Sequence, residues 1–381
     1  MIATTKPAFD YSQHAAKQAE AWRERSKSGQ NISPIPEVSP DDAAEREACR
    51  LDFGRFCTSF LPNSFRHKFS PDHIKAIKKI EAAVLHGLLV AFAMPRGYGK
   101  TTLSKAAALW AILYGHRRWV VLIGATGPLA VRLLKDGLKP MLRSNVKLAA
   151  AFPAVCKTFR TIDNSALKAK GLHYNNAPTY VLWGKDELVF PRIDHESCMC
   201  AESRVTCFGI EGALRGQVAT LSTGEDIRPD LVLVDDPQTK ASADSDTMTQ
   251  DRYDIIMGDV LGLSGGDTRI AGLVPCTVIR KDDLAERLLD TKRTPEMRGE
   301  RTKMMYSFPS NEKLWEEYFA MRENDLAVGG DGKCATDLYR SKQLEFDAGA
   351  QVAWPEMFPK EFASCIEYAM FLRNRNPAAF A

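Results

Sequence analysis

Two short stretches of the sequence contain residue types that could bind phosphate and magnesium. A glycine-containing loop precedes Lys100 and Thr101, and a second, aliphatic stretch ends in the adjacent acids Asp235 and Asp236. The backbone N–H groups of a glycine loop can converge on a polyphosphate, and the N-terminus of the following helix adds positive potential. In such a loop the lysine reaches the β- and γ-phosphates, and the threonine hydroxyl binds Mg²⁺. These residues therefore predict a nucleotide site that uses Mg²⁺.

The residues around the loop predict the strand and the helix that such a site requires. Residues 89–93 form an apolar run typical of a buried strand, and a helical apolar pattern begins after Lys100. The loop departs from the general pattern G-x-x-x-x-G-K-[ST] at Met94, where glycine is expected, and it also contains Arg96. A Gly-Lys-Thr triplet alone is often an ordinary turn, but its place between a strand and a helix favours a nucleotide site.

The paired acids agree with this interpretation. Residues 231–234 are aliphatic and predict a buried strand, so the carboxylates of Asp235 and Asp236 stand at its end. P-loop proteins bring a carboxylate to their magnesium in this way. Acids at strand ends are common, so the pair becomes a specific signal only together with the Lys100 loop.

Composition and charge exclude several other classes of protein. The chain has 381 residues, 45% hydrophobic and 26% charged, which is typical of a globular protein rather than a disordered one. No apolar run approaches the ~20 residues of a membrane span, and the first residues do not begin a signal peptide. The nine cysteines are scattered, and Cys198 and Cys200 lack the spacing of a zinc knuckle, so reduced thiols are expected. With a net charge of +3, contact with nucleic acid would depend on local basic patches.

Helix-start signals organise the N-terminal part of the chain. Residues 14–25 could form a short polar helix before a Ser/Pro-rich linker, either as a mobile tail or as a docking arm. Ser39 and Ser70, each followed by proline, predict helix N-termini, and the first of these helices is expected to continue to Phe60. The second helix places apolar residues along one buried stripe, namely Ile74, Ile77, Ile80, Val84 and Leu88.

Strands and helices alternate along much of the remaining chain. From residue 152 to 208 the pattern predicts short β segments. The predicted strands are residues 119–124, 179–183, 187–190, 204–208 and 268–274, with a hairpin turn at 184–186, and the predicted helices include residues 245–261, 281–289 and 360–375. Parallel strands that alternate with helices predict an α/β doubly wound sheet, which binds its ligand at the carboxyl ends of the strands.

One helix carries a row of cations. It follows the strand at 119–124, presents Arg132, Lys135 and Lys139 on one face, and is expected to end at Pro140. These cations could face DNA phosphates. A solvated helix face is the favoured interpretation.

In this order the motifs resemble the large terminase subunits of tailed bacteriophages, the ATPases that pump DNA into proheads. Residues 95–101 resemble that family's variant phosphate loop, which keeps an arginine and often lacks the first glycine. Residues 228–237 resemble its acidic strand, in the branch that ends Asp-Asp-Pro. Thr277 is similar to the threonine of the coupling motif, which links hydrolysis to movement. Residues 353–359 and 373–381 resemble the end of the motor domain.

The resemblance implies a P-loop NTPase of the ASCE/RecA-like class, with a mostly parallel sheet flanked by helices and an N-terminal helical extension. It implies a flexible arm at residues 1–38, an ATPase core at 39–310 and a small C-terminal lid or linker subdomain at 311–381. The chain stops where the family's nuclease domain would begin, so no nuclease activity is expected from it.

The resemblance also implies an ATP-hydrolysing motor that uses Mg²⁺ and drives double-stranded DNA into the prohead. The expected partners are the DNA, the portal protein, the small terminase subunit and further copies of the chain in a ring, with a pentamer as the family's form. No membrane partner is expected. The expected location is the cytoplasm of the host cell, at the prohead portal and not in the mature virion.

Individual roles follow from the same resemblance. Asp235 is expected to hold Mg²⁺ together with Thr101, and Asp236 takes the position of the catalytic carboxylate that orients the attacking water. An aspartate is shorter than the usual glutamate, so Glu225 could share this work. His73, with Phe69, stands where the family reads adenine, although a plain helix-start histidine is the alternative. The predicted residues of the phosphate loop are Arg96, Gly97, Tyr98, Gly99, Lys100, Thr101 and Thr102.

Phosphoryl transfer requires positive charge on the developing oxyanions, so an arginine is also expected. Arg215 resembles the arginine that reaches into a neighbouring subunit's site in ring motors. Arg96 could supply the charge from within the loop. Arg228 is a further competitor, although its simplest interpretation is a strand-end salt bridge, worth ~0–1 kcal/mol at a surface.

Two other functions agree with the same residues. A helicase-like or metabolic P-loop NTPase would hydrolyse nucleotide without DNA or a ring. A terminase-derived fragment could hold nucleotide and yet be inactive without its ring partners.

Replacement of Arg215 tests the role in a neighbouring site. If Arg215 completes that site, Arg215→Ala lowers ATP turnover by about 10³-fold or more, while ATP binding stays nearly intact. Steady-state hydrolysis and titration with a fluorescent nucleotide measure the two quantities. Equal losses of binding and turnover would exclude the role.

Overall fold

A mostly parallel central sheet positions the residues singled out above. The computed structural model describes residues 31–212, 216–260, 262–264 and 269–377. In these residues the central sheet has eight strands, in the order β12-β1-β11-β10-β2-β7-β6-β5. The pairs from β12 to β7 are parallel, and β7, β6 and β5 pair antiparallel. The strands are β1 Leu89–Ala93, β2 Trp119–Gly124, β3 His173–Tyr174, β4 Ala177–Pro178, β5 Leu182–Trp183, β6 Glu187–Val189, β7 Arg204–Gly209, β8 Ala219–Thr220, β9 Asp226–Ile227, β10 Leu231–Asp235, β11 Ala271–Cys276, β12 Glu300–Arg301, β13 Met305–Ser307 and β14 Gln351–Val352.

Helices cover both faces of the sheet, as the α/β expectation requires. The helices are α1 Pro40–Ala48, α2 Phe53–Phe60, α3 Pro71–His86, α4 Lys100–Leu113, α5 Gly127–Arg132, α6 Lys139–Ser144, α7 Val146–Ala151, α8 Pro153–Ile162, α9 Ala166–Ala169, α10 Lys240–Ala243, α11 Asp246–Asp254, α12 Leu284–Leu289, α13 Glu312–Ala327, α14 Lys333–Ser341, α15 Gln343–Asp347 and α16 Cys365–Arg375. Two π-helical turns, Leu133–Leu138 and Ile255–Val260, extend α5 and α11, and Pro295–Met297 forms a 3₁₀ turn. In the part of the chain described here, no helix combines the length and the apolar character needed to cross a membrane.

The aliphatic strands form the centre because parallel strands are covered on both faces. All six residues of β2 are buried, and in β10 the four residues before Asp235 are buried as well. One side of the sheet packs against α2, α3 and α4 in the larger hydrophobic cluster, and the other side packs against the segment from α11 to α12. The predicted α/β class with a mostly parallel sheet is therefore confirmed.

The two serine caps are confirmed, but the helices they begin differ from the prediction. The Ser39 and Ser70 hydroxyls accept the N–H groups of Asp42 and His73. The first helix does not continue to Phe60, because the Asp52 carboxylate accepts the N–H of Arg55 and begins a separate helix, α2.

The apolar stripe of α3 is only partly buried. Ile77, Ile80 and Val84 are buried as predicted, whereas Ile74 is 51% exposed. Leu88 lies after the end of α3 and is partly buried. The buried face of α3 also includes His73 and Ala76, so the stripe is centred one position from the prediction.

Residues 31–38, at the end of the predicted arm, contact the core at two positions. The Ile32 N–H donates to the His173 carbonyl at 2.9 Å, and Ile32 and Ile35 are both buried. The predicted polar helix at residues 14–25 lies outside the described residues.

The short β segments expected from residue 152 begin later than predicted. Pro153 starts α8, and α9 follows, so the region begins as helix. The hairpin across residues 184–186 is confirmed, with Leu182 opposite Val189, but its first strand is shorter than expected.

The predicted cationic face is wrong at its C-terminal end. Pro140 does not end the helix, because the π-helical turn Leu133–Leu138 leads directly into α6, which continues to Ser144. Lys139 is buried, donates to the Gly184 carbonyl, and its Nζ lies 4.4 Å from the centre of the Trp183 ring. Arg132 and Lys135 remain exposed.

Three further boundaries differ from the prediction, and a fourth lies outside the described residues. The strand expected at 268–274 is β11, which begins at Ala271, and Thr268 lies outside the described residues. The helices expected from residues 281 and 360 begin after the caps Asp283 and Ser364. The helix expected to reach Leu261 becomes α11 and a π-helical turn to Val260, and Leu261 itself is outside the described residues.

The C-terminal part has a hydrophobic cluster of its own. Trp315, Tyr318, Tyr339 and Phe346 form its centre, and the Trp315 indole donates to the Phe346 carbonyl at 3.1 Å. This cluster lies in the region of the predicted small C-terminal subdomain.

Helix α4 is buried between the sheet on one side and α2 and α3 on the other, so loss of a large side chain from it should lower stability. Trp110 is fully buried, its indole donates to the Cys49 carbonyl at 3.0 Å, and its ring lies 5.3 Å from that of Phe53. We expect Trp110→Ala to lower the free energy of unfolding by about 3–5 kcal/mol, measured by urea denaturation. The control Leu344→Ala removes a side chain of a residue that is 90% exposed and should change stability by less than about 0.5 kcal/mol. Similar changes in the two variants would contradict the packing described here.

Candidate functional site

The residues proposed to do chemistry meet at one edge of the sheet. Residues 94–99 follow β1, Asp236 follows β10, and Thr277 follows β11, so all three segments leave the carboxyl ends of parallel strands. β11 lies between β1 and β10. The carboxyl edge is where open α/β sheets bind their ligands.

The loop after β1 contains two glycines in left-handed backbone conformations. Gly97 and Gly99 have φ angles of 83° and 79°, in the left-handed region that side chains rarely tolerate. A Cβ atom placed on Gly99 would meet nothing within 4 Å, so the space in front of this residue is open. Helix α4 begins at Lys100 without a side-chain cap, which leaves its first N–H groups for an anion.

Lys100 brings a buried ammonium group into the loop. The residue is 7% exposed, and its Nζ donates to the Met94 carbonyl at 2.8 Å. Burial lowers the pKa of Lys100, while the nearby Asp236, Cys276 and Asp235 oppose that shift. An ammonium group has three N–H donors, so this group has donors to spare for an anionic ligand.

Thr101 and Asp235 form the contact between the two motifs. The Thr101 hydroxyl lies 2.9 Å and 3.2 Å from the two carboxylate oxygens of Asp235. Burial raises the pKa of Asp235 to about 6, and the neighbouring Asp236 adds to the rise, whereas the hydrogen bond from Thr101 opposes it. A cation at this carboxylate would offset the cost of burying its charge.

This donor set fits magnesium. Mg²⁺ is usually held by one or two carboxylates together with phosphate oxygens and water rather than by a full protein cage. Among the described residues, no group of three or more His, Cys, Asp or Glu side chains could hold a metal ion by itself. The oxygens of Thr101 and Asp235 would therefore hold the ion together with the ligand.

Asp236 adopts a backbone conformation that needs support. Its φ is 41°, in the left-handed region, which costs a non-glycine residue about 1–3 kcal/mol. Its N–H donates to the Pro275 carbonyl at 3.0 Å, and its carboxylate Oδ1 accepts the Thr277 hydroxyl at 2.9 Å. The structure thus brings together Asp236 and Thr277, two residues that the sequence assigned separately to catalysis.

His73 supports the loop from beneath. It is 2% exposed, its Nε2 lies 3.0 Å from the Tyr98 carbonyl oxygen, and its Nδ1 lies 2.8 Å from the Ser70 hydroxyl. Burial lowers the pKa of His73, so the neutral ring can donate to Tyr98 and accept from Ser70. Both ring nitrogens are engaged inside the chain, and the adenine role of His73 stays a prediction.

A segment near the C-terminus packs on the same loop. The Trp354 ring lies 4.4 Å from that of His73 and 5.3 Å from that of Tyr98. Its indole donates to the Lys68 carbonyl at 3.0 Å, and the Met357 methyl lies beside Gly97. The sequence marked residues 353–359 as the end of a domain but did not indicate this contact.

Within the described part of the chain, the candidate arginines and Glu225 do not gather at the acids. Arg96 is exposed and makes no hydrogen bond or ion pair with another described residue, and Arg215 lies outside the described residues.

Arg228 is exposed three residues before β10, at the amino edge of the sheet. Glu225 pairs there with Arg118 at 2.5 Å, next to the start of β2, so the expectation that it shares the work of Asp236 within one chain is wrong. Thr102 is partly buried in the first turn of α4.

Two buried polar residues near the acids were missed at the sequence level. The Gln238 side-chain amide donates to the Thr277 carbonyl and to the Asp283 carboxylate, both at 2.8 Å. Asp283 caps α12, and a carboxylate before a helical apolar pattern is a signal that could have identified it. Nothing in the sequence distinguishes Gln238.

Two comparisons with known proteins were negative. No protein-family model matches the chain, and no curated protein is significantly similar to it in sequence. The site must therefore be judged on its own geometry.

The raised pKa of Asp235 predicts a pH-dependent stability. An ordinary aspartate has a pKa of 3.8, and that of Asp235 is about 6. Between these values the native state binds a proton that the unfolded state lacks, so this residue's contribution to stability falls as the pH rises from 4 to 7. Asp235→Asn removes the titrating group. Without nucleotide or Mg²⁺, we expect the stability of the variant relative to wild type to increase as the pH rises from 4 to 7. Thermal unfolding at pH 4, 5, 6 and 7 measures the difference, and a constant difference would contradict the assignment.

Proposed function

We propose that this chain is the ATP-hydrolysing motor domain of a large terminase subunit, which drives double-stranded DNA into a prohead. The observation that carries the proposal is the contact of the Thr101 hydroxyl with the Asp235 carboxylate at 2.9 Å. It joins a glycine loop to an acidic strand that lies 134 residues away in the sequence. A phosphate loop and its magnesium carboxylate need this proximity to act on one nucleotide.

The strand order supports the P-loop part of the proposal. β11 lies between β1 and β10, so the glycine loop and the paired acids leave the same carboxyl edge of the sheet one strand apart. Open α/β sheets bind their ligands at this edge. β12 pairs in parallel with the other side of β1. The loop itself has left-handed glycines and an uncapped helix N-terminus, which are the features that bind phosphate.

Each residue near the loop has a distinct task in this proposal. Lys100 and the N–H groups at the start of α4 bind the phosphates, and Thr101 and Asp235 hold the magnesium. A Mg²⁺ ion held by Thr101 and Asp235 would supply positive charge next to the phosphate oxygens. Asp236 orients the attacking water through its carboxylate, whose position is held by the Thr277 hydroxyl. The helix N-terminus and Lys100 supply fixed positive charge where the phosphoryl oxygens become more negative.

A further arginine and a ring of subunits belong to the same proposal. Arg96 is on the loop and free to turn towards a ligand, and Arg215 of an adjacent copy is the other candidate. The motor would act with the portal protein, the small terminase subunit and DNA, in the host cytoplasm and outside the mature virion. Arg228, at the amino edge of the sheet, is too far from the acids of its own chain to serve them.

One observation also favours a nucleotide-binding fragment that is inactive alone. Within the described residues, the partners of Asp235 and Asp236 are hydroxyl and backbone groups, with no arginine bonded to either acid. If a neighbouring copy supplies that arginine, an isolated chain binds ATP without turning it over. A helicase-like NTPase would instead turn over ATP as a monomer.

ATP hydrolysis over a wide range of protein concentration tests the proposal. Turnover per chain should rise with concentration as a ring forms, and Asp236→Asn should lower it by about 10²–10⁴-fold because the water loses its general base. The matched control Asp244→Asn changes an exposed acid eight residues further along and should leave turnover unchanged. Flat, weak turnover that is insensitive to Asp236→Asn would contradict the proposal.

A further inference from the structure

A buried amide, Gln238, joins three segments at the acidic edge of the sheet. The residue is 8% exposed and lies two positions after Asp236. Its Nε2 donates to the Thr277 carbonyl and to the Asp283 Oδ2, both at 2.8 Å, and its Oε1 accepts the Leu284 N–H at 3.1 Å. Both donors and the acceptor of the amide are therefore used, each by a different residue.

Asp283 anchors this amide from within the protein. Its side chain is fully buried, and its Oδ2 accepts the N–H groups of Ile279 at 2.6 Å and Arg280 at 3.1 Å in addition to the amide of Gln238. Its Oδ1 accepts the Glu286 N–H at 2.9 Å. A carboxylate with this many fixed donors has one stable orientation, so Gln238 is held by a rigid partner.

The chain of contacts continues to the acid that is proposed to orient water. Gln238 holds the Thr277 carbonyl, and the hydroxyl of Thr277 donates to Asp236 Oδ1 at 2.9 Å. The left-handed backbone of Asp236, with a φ of 41°, persists only where the surroundings determine it. Thr277 contacts the Asp236 carboxylate directly, and Gln238 holds the backbone carbonyl of Thr277.

We propose that Gln238, anchored by Asp283, is a positioning residue that fixes Thr277 and through it the carboxylate of Asp236. The proposal rests on the proposed function, because it assigns Asp236 the task of orienting water. Among the described residues, the hydrogen bonds of Gln238 go to Thr277, Asp283 and Leu284 and none goes to residues 94–100. We therefore expect it to affect turnover and not nucleotide binding. The same contacts connect Asp236 to the N-terminus of α12, which packs against β1.

A purely structural role for these residues makes a different prediction. In that case Asp283 only caps α12, and Gln238 only fills polar space at its N-terminus. Loss of either side chain would then lower stability, and any fall in turnover would follow the fraction of folded protein. The two roles are separated by measuring turnover per folded chain at saturating nucleotide.

Gln238→Met is the first variant, because it keeps the length of the side chain and removes its hydrogen bonds. We expect kcat to fall about 30- to 100-fold, since a displacement of about 1 Å of a reacting group costs about 10²-fold. The Kd for a non-hydrolysable ATP analogue with Mg²⁺ should change less than about twofold. The matched control is Gln250→Met, which removes bonds to Arg287 and Asp254 away from the acids and should leave both quantities unchanged.

A double-mutant cycle with Thr277→Val tests whether the effect passes through Thr277. If it does, Gln238→Met adds little to the loss of kcat already caused by Thr277→Val. If the kcat of the double variant instead falls by the product of the two single losses, the proposal is overturned. Asp283→Ser provides a second variant should Gln238→Met not fold, because serine retains the helix cap but cannot reach Gln238. We expect it to lower kcat at least tenfold, and an unchanged kcat would also overturn the proposal.

Hydrogen exchange separates failure of this proposal from failure of the proposed function. If the wild-type chain shows no ATP turnover at any concentration, the ATPase assignment is contradicted. Hydrogen exchange can then still test whether Gln238 positions Asp236. In Gln238→Met, the amide of Asp236 and those of residues 277–280 should then exchange at least tenfold faster, with no change in Gln250→Met. Unchanged exchange at Asp236 would show that Gln238 does not position it.

Discussion

The hydrogen bond between the Thr101 hydroxyl and the Asp235 carboxylate is the contact on which the candidate site depends. It forms because β1 and β10 run parallel, so that both strands end at the same edge of the sheet with only β11 between them. The glycine loop, the buried ammonium of Lys100 and the paired acids then face one small volume. A change of strand order would separate these groups even if every local element were kept, because each motif supplies only part of the site.

Buried charge is the second constraint on this edge of the sheet. Burial lowers the pKa of Lys100 and raises that of Asp235 to about 6, so both groups are held in a setting that disfavours their charged forms. An anion at the lysine and a cation at the carboxylate would relieve both penalties at once. A nucleotide with magnesium has this combination of charges, which is why the electrostatics agree with the proposed ATPase.

The site is also connected to two distant parts of the chain. Trp354, near the C-terminus, packs on His73 and on Tyr98 of the glycine loop. On the opposite side, Gln238 and Asp283 connect the acids to the start of α12. The phosphate loop and the acids are thus each supported by a separate segment, and movement of either segment would alter the site.

The sequence by itself determined the local elements and the residue types of the site. The apolar runs predicted β1, β2 and β10 closely, and Lys100, Thr101, Asp235 and Asp236 were identified because their chemistry follows from short, local patterns. A local sequence pattern predicts the structure correctly where a single strand or cap determines it. Such patterns failed where another part of the chain decided, as for the burial of Lys139 against Trp183 and the position of Glu225 at the amino edge. The break between α1 and α2 is a local cap at Asp52 that the prediction missed.

Only the tertiary structure decided which residues meet. The pairing of Thr277 with Asp236, the buried amide of Gln238 and the contact of Trp354 with the loop all join segments far apart in the chain, and no spacing rule encodes them. Their physical reason is the common carboxyl edge of a parallel sheet, which gathers the ends of strands whatever their separation in sequence.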